Sequence, residues 1–164
     1  MHFTKIQDNI SVDTIIDEIS MFPSFDSQIC IQGVKENDDP LFGIGVGGGK
    51  NSWERKQNHN YKSTDFKYTL FHHCDYLNEL IKKYNMTYTR LMKLKSKTCL
   101  SHHKDKTKRL HIPLVTNEHC WLVVNKKIYH AEADGSYYIV DTTKMHTAIN
   151  ASYEDRLHIV GNVQ

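Results

Sequence analysis

The stretch Arg109-Leu110-His111-Ile112-Pro113-Leu114-Val115 alternates between polar and apolar side chains along its length. Successive side chains of a β-strand point to opposite faces. Its leucines and isoleucine therefore share one face, whereas Arg109 and His111 share the other. The pattern predicts a strand that packs on a core with one face and presents a guanidinium and an imidazole with the other.

Further short strands are predicted on both sides of this one, because the period of two begins at residue 87 and continues to the C-terminus. Turn residues such as Asp134-Gly135 separate them. Short strands at this spacing are typical of an all-β sandwich or barrel, and the absence of strand–helix–strand alternation in this half argues against a Rossmann-like sheet. The predicted strands are Thr87–Lys95, Cys120–Asn125, Ile128–Glu132, Tyr137–Asp141 and Arg156–Val160.

The N-terminal half carries helical patterns instead. Residues 11–20 have apolar side chains at helical spacing after Ser11, a good N-cap, and residues 75–85 repeat the pattern with Asp75 as the expected cap. Residues 34–69 are polar and Gly-rich, which favours loops with one or two short strands. We therefore expect one domain over residues 1–164, in which a helix-bearing half (1–86) packs on a β-core (87–164).

Composition narrows the class of protein. The chain has 164 residues and 19.1 kDa, the size of one domain, and its 21 Lys and Arg against 19 Asp and Glu give a net charge of +2. This balance argues against nucleic acid or an anionic membrane as partner. No apolar run could span a bilayer, and residues 1–5 lack the apolar region of a signal peptide, so we expect a cytoplasmic protein. Its cysteines are expected to be reduced thiols: Cys30, Cys74, Cys99 and Cys120.

Two motifs resemble functional sites without meeting their requirements. Gly43–Lys50 is Gly-rich and ends in Gly-Lys, but Ile44 stands where a phosphate-binding loop needs glycine, and Asn51 follows the lysine. We interpret it as a surface loop, in a region where Trp53 is a candidate lid residue. The adjacent residues His72-His73-Cys74 are expected to form the loop that leads into the second helix.

A metal site is indicated by His103-Lys104-Asp105. On an extended chain residues i and i+2 point to the same side, so His103 and Asp105 can reach one ion. His146, after the strand Tyr137–Asp141, is the candidate third ligand. Two histidines and one carboxylate leave three positions open on the metal, as in non-haem Fe(II) oxygenases. A solvated polar loop is the alternative, and His102 beside His103 is a second choice of ligand.

A second polar face supports an anion site. In Arg156–Val160 the alternation places Arg156 and His158 together, as it does Arg109 and His111. A guanidinium suits two-pronged capture of a carboxylate. The residues alone leave open whether these faces line a site or simply face solvent.

At this point a family resemblance emerges. Arg109–Asn117 resembles the "R-x-H-I-P-L-x-T-N" strand of the aspartyl/asparaginyl β-hydroxylase-like proteins, and Tyr138–His146 resembles their "Y-x-x-D-x-x-x-x-H" segment. Asn150–Ser152 followed by Arg156–Val160 resembles their "N-x-S…R-x-H-x-V" ending. The resemblance covers roughly residues 88–164, and the N-terminal half is similar to the leader of small phage-encoded members.

The resemblance implies a double-stranded β-helix, the cupin-like jelly roll, and a reaction that uses Fe(II), O₂ and 2-oxoglutarate. His103 and His146 match the family's metal histidines, and Arg156 matches the arginine that grips the distal carboxylate of 2-oxoglutarate. Arg109 and His111 match pocket positions that contact co-substrate or substrate. The animal members lack a carboxylate ligand, whereas Asp105 supplies one here, as in the related free-proline hydroxylases.

The resulting hypothesis is a dioxygenase that hydroxylates an amino acid or a peptidyl Asp, Asn or Pro side chain, with metal ligands His103, Asp105 and His146. The first alternative is a non-catalytic cupin-like module that binds a small carboxylate through Arg109 and Arg156. A structural or inhibitory protein and a nucleobase oxygenase are further alternatives, and the near-neutral charge argues against the last.

Overall fold

The computed structural model describes residues 1–44 and 60–163. The Gly-rich segment beyond Ile44 and the candidate lid residue Trp53 lie outside the described residues. Neither described α-helix is long and apolar enough to cross a membrane.

The elements are β1 (Phe3–Gln7), α1 (Val12–Ile19), β2 (Gln28–Cys30), β3 (Gln32–Gly33), a 3₁₀ turn (Ser63–Asp65), β4 (Tyr68–Thr69), α2 (Asp75–Lys83), β5 (Thr87–Leu94), β6 (Thr98–Cys99), β7 (Lys108–Val115), β8 (Cys120–Val124), β9 (Lys127–Tyr129), β10 (Ser136–Val140), β11 (His146–Asn150) and β12 (Arg156–Val163).

Two facing antiparallel sheets form the body of the protein, which confirms the predicted double-stranded β-helix. The larger sheet has the order β1-β10-β7-β12-β5-β2, and the smaller has the order β6-β11-β8-β9. Leu94 and Val140 of the large sheet pack against Leu122 and Ala148 of the small one. Leu122 and Ala148 also line a cavity between the sheets. A separate two-stranded sheet joins β3 and β4.

The outer face of the large sheet is covered by the helices. Ile112 and Ile159 belong to the same buried cluster as Leu77 and Ile81 of α2, and α1 contributes Ile15. Because alternate side chains point the other way, the opposite face of these strands looks into the space between the sheets. The strand alternation predicted from the sequence is confirmed.

The N-terminal half supplies strands that the sequence did not predict. β1 pairs with β10 and β2 pairs with β5, so that these two strands form both edges of the large sheet. β2 has only three residues, too few to display a period of two. The sequence did not predict β11 either. His146, which was expected to follow a short turn after Tyr137–Asp141, is the first residue of this strand.

All four cysteines are unpaired, and Cys30, Cys74 and Cys120 are buried while Cys99 is exposed. Burial raises the pKa of Cys30 and of Cys74 to about 11, which keeps both thiols protonated at neutral pH. The buried cysteines therefore behave as packing residues.

The helix caps agree with the sequence in one case and differ in the other. The Ser11 side chain accepts the backbone N–H of Thr14, as predicted. Asp75 is not the cap of α2: Cys74 holds that position and makes no side-chain capping bond. The carboxylate of Glu18, on α1, instead accepts the backbone N–H groups of the first turn of α2, at 2.7 and 2.9 Å. A residue distant in sequence thus performs the capping and joins the two helices.

We expect Glu18→Ala to lower the free energy of unfolding by about 1–2 kcal/mol, the range of a lost N-cap, because two backbone donors lose their acceptor. Urea unfolding followed by circular dichroism measures the change. Glu79→Ala is the control, since Glu79 is exposed on the same helix and should change the value by less than about 0.5 kcal/mol. Equal stability of the two variants would contradict the capping role.

Candidate metal centre

Three of the predicted site residues converge at the mouth of the cavity. His103, Asp105 and His146 each offer one ligand atom, and these atoms lie within 4.8 Å of one another. The carboxylate oxygens of Asp105 are 3.9 Å from Nε2 of His103 and 3.8 Å from Nε2 of His146. His102 is exposed and lies outside this group. The structure thus brings together the three residues chosen from the sequence and places the adjacent His102 outside the group.

The backbone brings these side chains together. The N–H of His103 donates to the carbonyl oxygen of His146 at 3.0 Å, and the N–H of His146 donates back to that of His103 at 2.9 Å. Residues directly opposite in an antiparallel pair project their side chains to the same side, so both imidazoles face one point. Asp105 follows two residues later, with its N–H bonded to the carbonyl oxygen of Thr142 at 2.8 Å.

Both histidines are held with Nε2 directed at the carboxylate. Nδ1 of His103 contacts the carbonyl oxygen of Ser101 at 2.6 Å, and Nδ1 of His146 contacts that of Lys144 at 3.0 Å. A carbonyl oxygen only accepts, so in the neutral imidazole each Nδ1 carries the proton and each Nε2 presents a lone pair. Metal-binding histidines are oriented in this way, and the two lone pairs with one carboxylate form a donor set that fits a divalent transition metal.

Arg109 orients the carboxylate of this group. Its Nε donates to Oδ2 of Asp105 at 3.0 Å, and one of its terminal nitrogens donates to Oδ1 of Asn162. Burial, with the nearby charge of Arg90, lowers the pKa of Arg109, while the contact with Asp105 opposes that shift. The sequence placed Arg109 in the pocket, and the structure shows that it contacts a candidate metal ligand there.

Arg156 is a buried cation on the cavity wall, without an ionic partner in the described part of the chain. It is 4% exposed, and none of the described carboxylates lies within ion-pair distance of its guanidinium. Its Nε is buried with no hydrogen-bond acceptor. Burial lowers the pKa of Arg156 to about 10, so the group remains cationic at neutral pH. A buried cation facing a cavity without a counter-ion is suited to an anionic ligand.

The comparisons with known proteins agree with this geometry. The model of the aspartyl/asparaginyl beta-hydroxylase family matches residues 36–164. The chain belongs to this family. It is therefore a hydroxylase-type oxygenase. The match begins well before residue 88, where the resemblance in sequence motifs began.

One solved structure supports the fold of this hydroxylase. AviO1 from Streptomyces viridochromogenes Tue57 superposes with a TM-score of 0.50 at 13% sequence identity, over 98% of this chain and 88% of the other. At that identity the likeness concerns the fold alone. Comparison with curated proteins gave no match.

His111 and His158 form a buried pair in this hydroxylase. Nδ1 of His111 lies 3.4 Å from Nδ1 of His158 with the rings nearly perpendicular. Burial, followed by the charge of Arg156, holds the pKa of both well below the usual range, so both are neutral. The alternative that the faces carrying Arg109, His111, Arg156 and His158 look out to solvent is wrong, because all four are buried.

A cavity of about 230 Å³ is lined by residues of both sheets. Its lining includes the three candidate ligands, Arg109, His111 and Arg156, but not His158. Gln28 and Arg90 also line it, although the sequence did not select them as site residues. The sequence did hint at a role for Arg90, because strand alternation places its charged side chain on the same face of β5 as the apolar residues Met92 and Leu94.

The buried histidines predict how stability depends on pH. Unfolded histidine binds a proton below about pH 6.5, whereas His111 and His158 remain neutral in the folded state. The unfolded state therefore binds more protons, and the free energy of unfolding falls as pH drops below 6.5, by about 1.4 kcal/mol per pH unit for each buried histidine.

We expect His158→Asn to reduce this slope by the contribution of one histidine, as measured by urea unfolding between pH 5 and 7 on the metal-free protein. His119→Gln, at an exposed loop position, is the control and should keep the wild-type slope. A His158→Asn slope equal to the wild type would show that His158 is protonated in the folded state.

Proposed function

We propose that this chain is an Fe(II)- and 2-oxoglutarate-dependent dioxygenase that hydroxylates a free amino acid or an Asp, Asn or Pro side chain of a peptide. The observation that carries the proposal is the pairing, in one cavity, of a His-Asp-His group with an arginine that has no counter-ion among the described residues. The first feature suits a metal and the second suits a carboxylate. A cytoplasmic location belongs to the proposal, since free thiols persist there.

The donor set supports iron as the metal. His103, Asp105 and His146 supply two imidazole nitrogens and one carboxylate oxygen, and a non-haem Fe(II) site uses this set with open positions. The side chain of His103 is 36% exposed while that of His146 is 8% exposed, so the group lies between solvent and the buried cavity. Co-substrate and substrate can therefore approach from different sides.

Arg156 supports 2-oxoglutarate as the co-substrate. This molecule has a carboxylate at its far end, and the guanidinium of Arg156 can bind it with two parallel hydrogen bonds. The neutral, buried His111 lies between Arg156 and the candidate metal ligands in the cavity lining, where its imidazole can hydrogen-bond the ligand without adding charge.

Bound Fe(II), with 2-oxoglutarate and O₂, supplies the oxidising chemistry that inserts one oxygen atom into a substrate C–H bond. The chain's residues hold and orient the participants. His103, Asp105 and His146 would hold the metal, and the hydrogen bond from Arg109 would keep the Asp105 carboxylate directed at it. Arg156 fixes the co-substrate, and the apolar walls formed by Leu122, Val160 and their neighbours exclude water from the reacting atoms.

Anaerobic titration of the metal-free protein with Fe(II) and 2-oxoglutarate tests the proposal. We expect a visible metal-to-ligand charge-transfer band that saturates near one equivalent. Asp105→Ala should abolish metal binding and the band. Arg156→Ala should retain the metal and weaken 2-oxoglutarate binding by about 10- to 100-fold, since a charge-assisted pair is lost.

Asp134→Ala is the matched control, because Asp134 is a carboxylate bound to Lys5 at a turn outside the cavity. It should give the wild-type band. A folded wild-type protein that gives no band would overturn the oxygenase proposal and favour the carboxylate-binding module.

A further inference from the structure

Arg90 is a second buried cation on the cavity wall. It lies on β5 and is 7% exposed. In the sheet register Arg90 is opposite Val160 of β12, which in turn is opposite His111 of β7. The three residues therefore form a row across the inward face of the large sheet, and all three line the cavity.

The contacts of Arg90 hold its guanidinium without neutralising it. A terminal nitrogen donates to Oε1 of Gln28 at 2.7 Å, and the guanidinium lies 4.1 Å from the centre of the Tyr88 ring. Its Nε is buried with no acceptor, and no described carboxylate lies within ion-pair distance. Arg109, by comparison, is paired with Asp105. Arg90 thus keeps an unmet donor and an uncompensated charge.

Arg90 and Arg156 extend from well-separated backbone positions on the inward face. Arg156 is opposite Leu94 in the register, four residues along β5 from Arg90. At the rise of a strand this corresponds to about 13 Å between the two backbone positions. The guanidinium of Arg90 is also held in its own surroundings, bonded to Gln28 and lying over the ring of Tyr88. We therefore expect a carboxylate bound by Arg156 to leave Arg90 for another anionic group.

The charges lining the cavity lead to the same conclusion. Three arginines line it, Arg90, Arg109 and Arg156, against a single carboxylate, that of Asp105, among the described lining residues. Asp105 pairs with Arg109, and the co-substrate of the proposed function would pair with Arg156. One buried cation remains, and a buried cation is costly unless an anion pairs with it.

We propose that Arg90, positioned by Gln28, binds a carboxylate of the substrate. This inference rests on the proposed function and narrows its substrate class to molecules that carry a carboxylate near the reacting carbon. The carboxylate can be the α-carboxylate of a free amino acid or the side-chain carboxylate of a peptidyl Asp or Glu. Neutral Asn and Pro side chains within a peptide offer Arg90 no anion and are disfavoured.

Matched acid and amide probes test the inference by binding rather than turnover. The protein is loaded with Zn(II) and 2-oxoglutarate and titrated under ligand-observed NMR. One arm uses free L-amino acids against their carboxamides. The second uses N-acetyl, N-methylamide derivatives of Asp and Glu against those of Asn and Gln. We expect an acid to bind at least about 10-fold more tightly than its amide in one arm, and that arm identifies the source of the carboxylate.

Two variants assign this preference to Arg90. Arg90→Gln removes the charge, and Gln28→Glu leaves Arg90 in place but gives it an internal carboxylate. Both should bring the acid-to-amide ratio close to one while leaving 2-oxoglutarate affinity unchanged. Gln28→Glu keeps the buried arginine, so it provides the test if Arg90→Gln does not fold, as judged by its melting temperature.

The outcomes separate this inference from the proposed function. Failure of the wild type to bind 2-oxoglutarate overturns the proposed function and, with it, this inference. Normal 2-oxoglutarate binding with equal affinity for acid and amide, or with no binding of any acid, overturns the role of Arg90 alone. An acid preference that persists in both folded variants also overturns the role of Arg90.

Discussion

The site depends on the pair of backbone hydrogen bonds between His103 and His146. These two bonds join the segment before β7 to the start of β11, which are far apart in sequence, and fix both imidazoles on one side of the bridge. The alternation of an extended chain then adds Asp105 to the same side. Because the carbonyl groups of Ser101 and Lys144 bind Nδ1, the backbone also decides which nitrogen of each histidine is free. The positions of the ligands and the tautomers of the two histidines thus follow from local main-chain geometry.

The arginines on the inward face of the large sheet differ in whether a carboxylate neutralises their charge. Arg109 is paired with Asp105 and bonded to Asn162, whereas Arg90 and Arg156 have no ionic partner among the described residues. Burying a cation without a partner lowers the stability of the fold. These two arginines therefore lower the free energy of unfolding and raise the affinity of the cavity for anions. The helices and the outer face of the large sheet, where Ile112 and Ile159 pack, supply the apolar burial that offsets this cost.

Much of this arrangement could be predicted from the sequence, because strand alternation fixes which side chains share a face. It grouped Arg109 with His111 and Arg156 with His158, and His103 with Asp105. It could not decide whether those faces look to solvent or to a cavity, since both arrangements have the same period. Gln28 and Glu18 escaped prediction because their roles depend on contacts between distant segments. Arg90 escaped because a single arginine on a predicted strand is usually a surface residue.

The central claim is that one metal ion binds to Nε2 of His103, Nε2 of His146 and a carboxylate oxygen of Asp105. A crystal soaked with Mn(II) under anaerobic conditions, with data recorded at the manganese absorption edge, tests it most directly. The account predicts a single anomalous peak at about 2.0–2.2 Å from these three atoms, the usual range for such ligands. A peak bound by other residues, or no peak in a crystal that shows the three side chains converged, would contradict it.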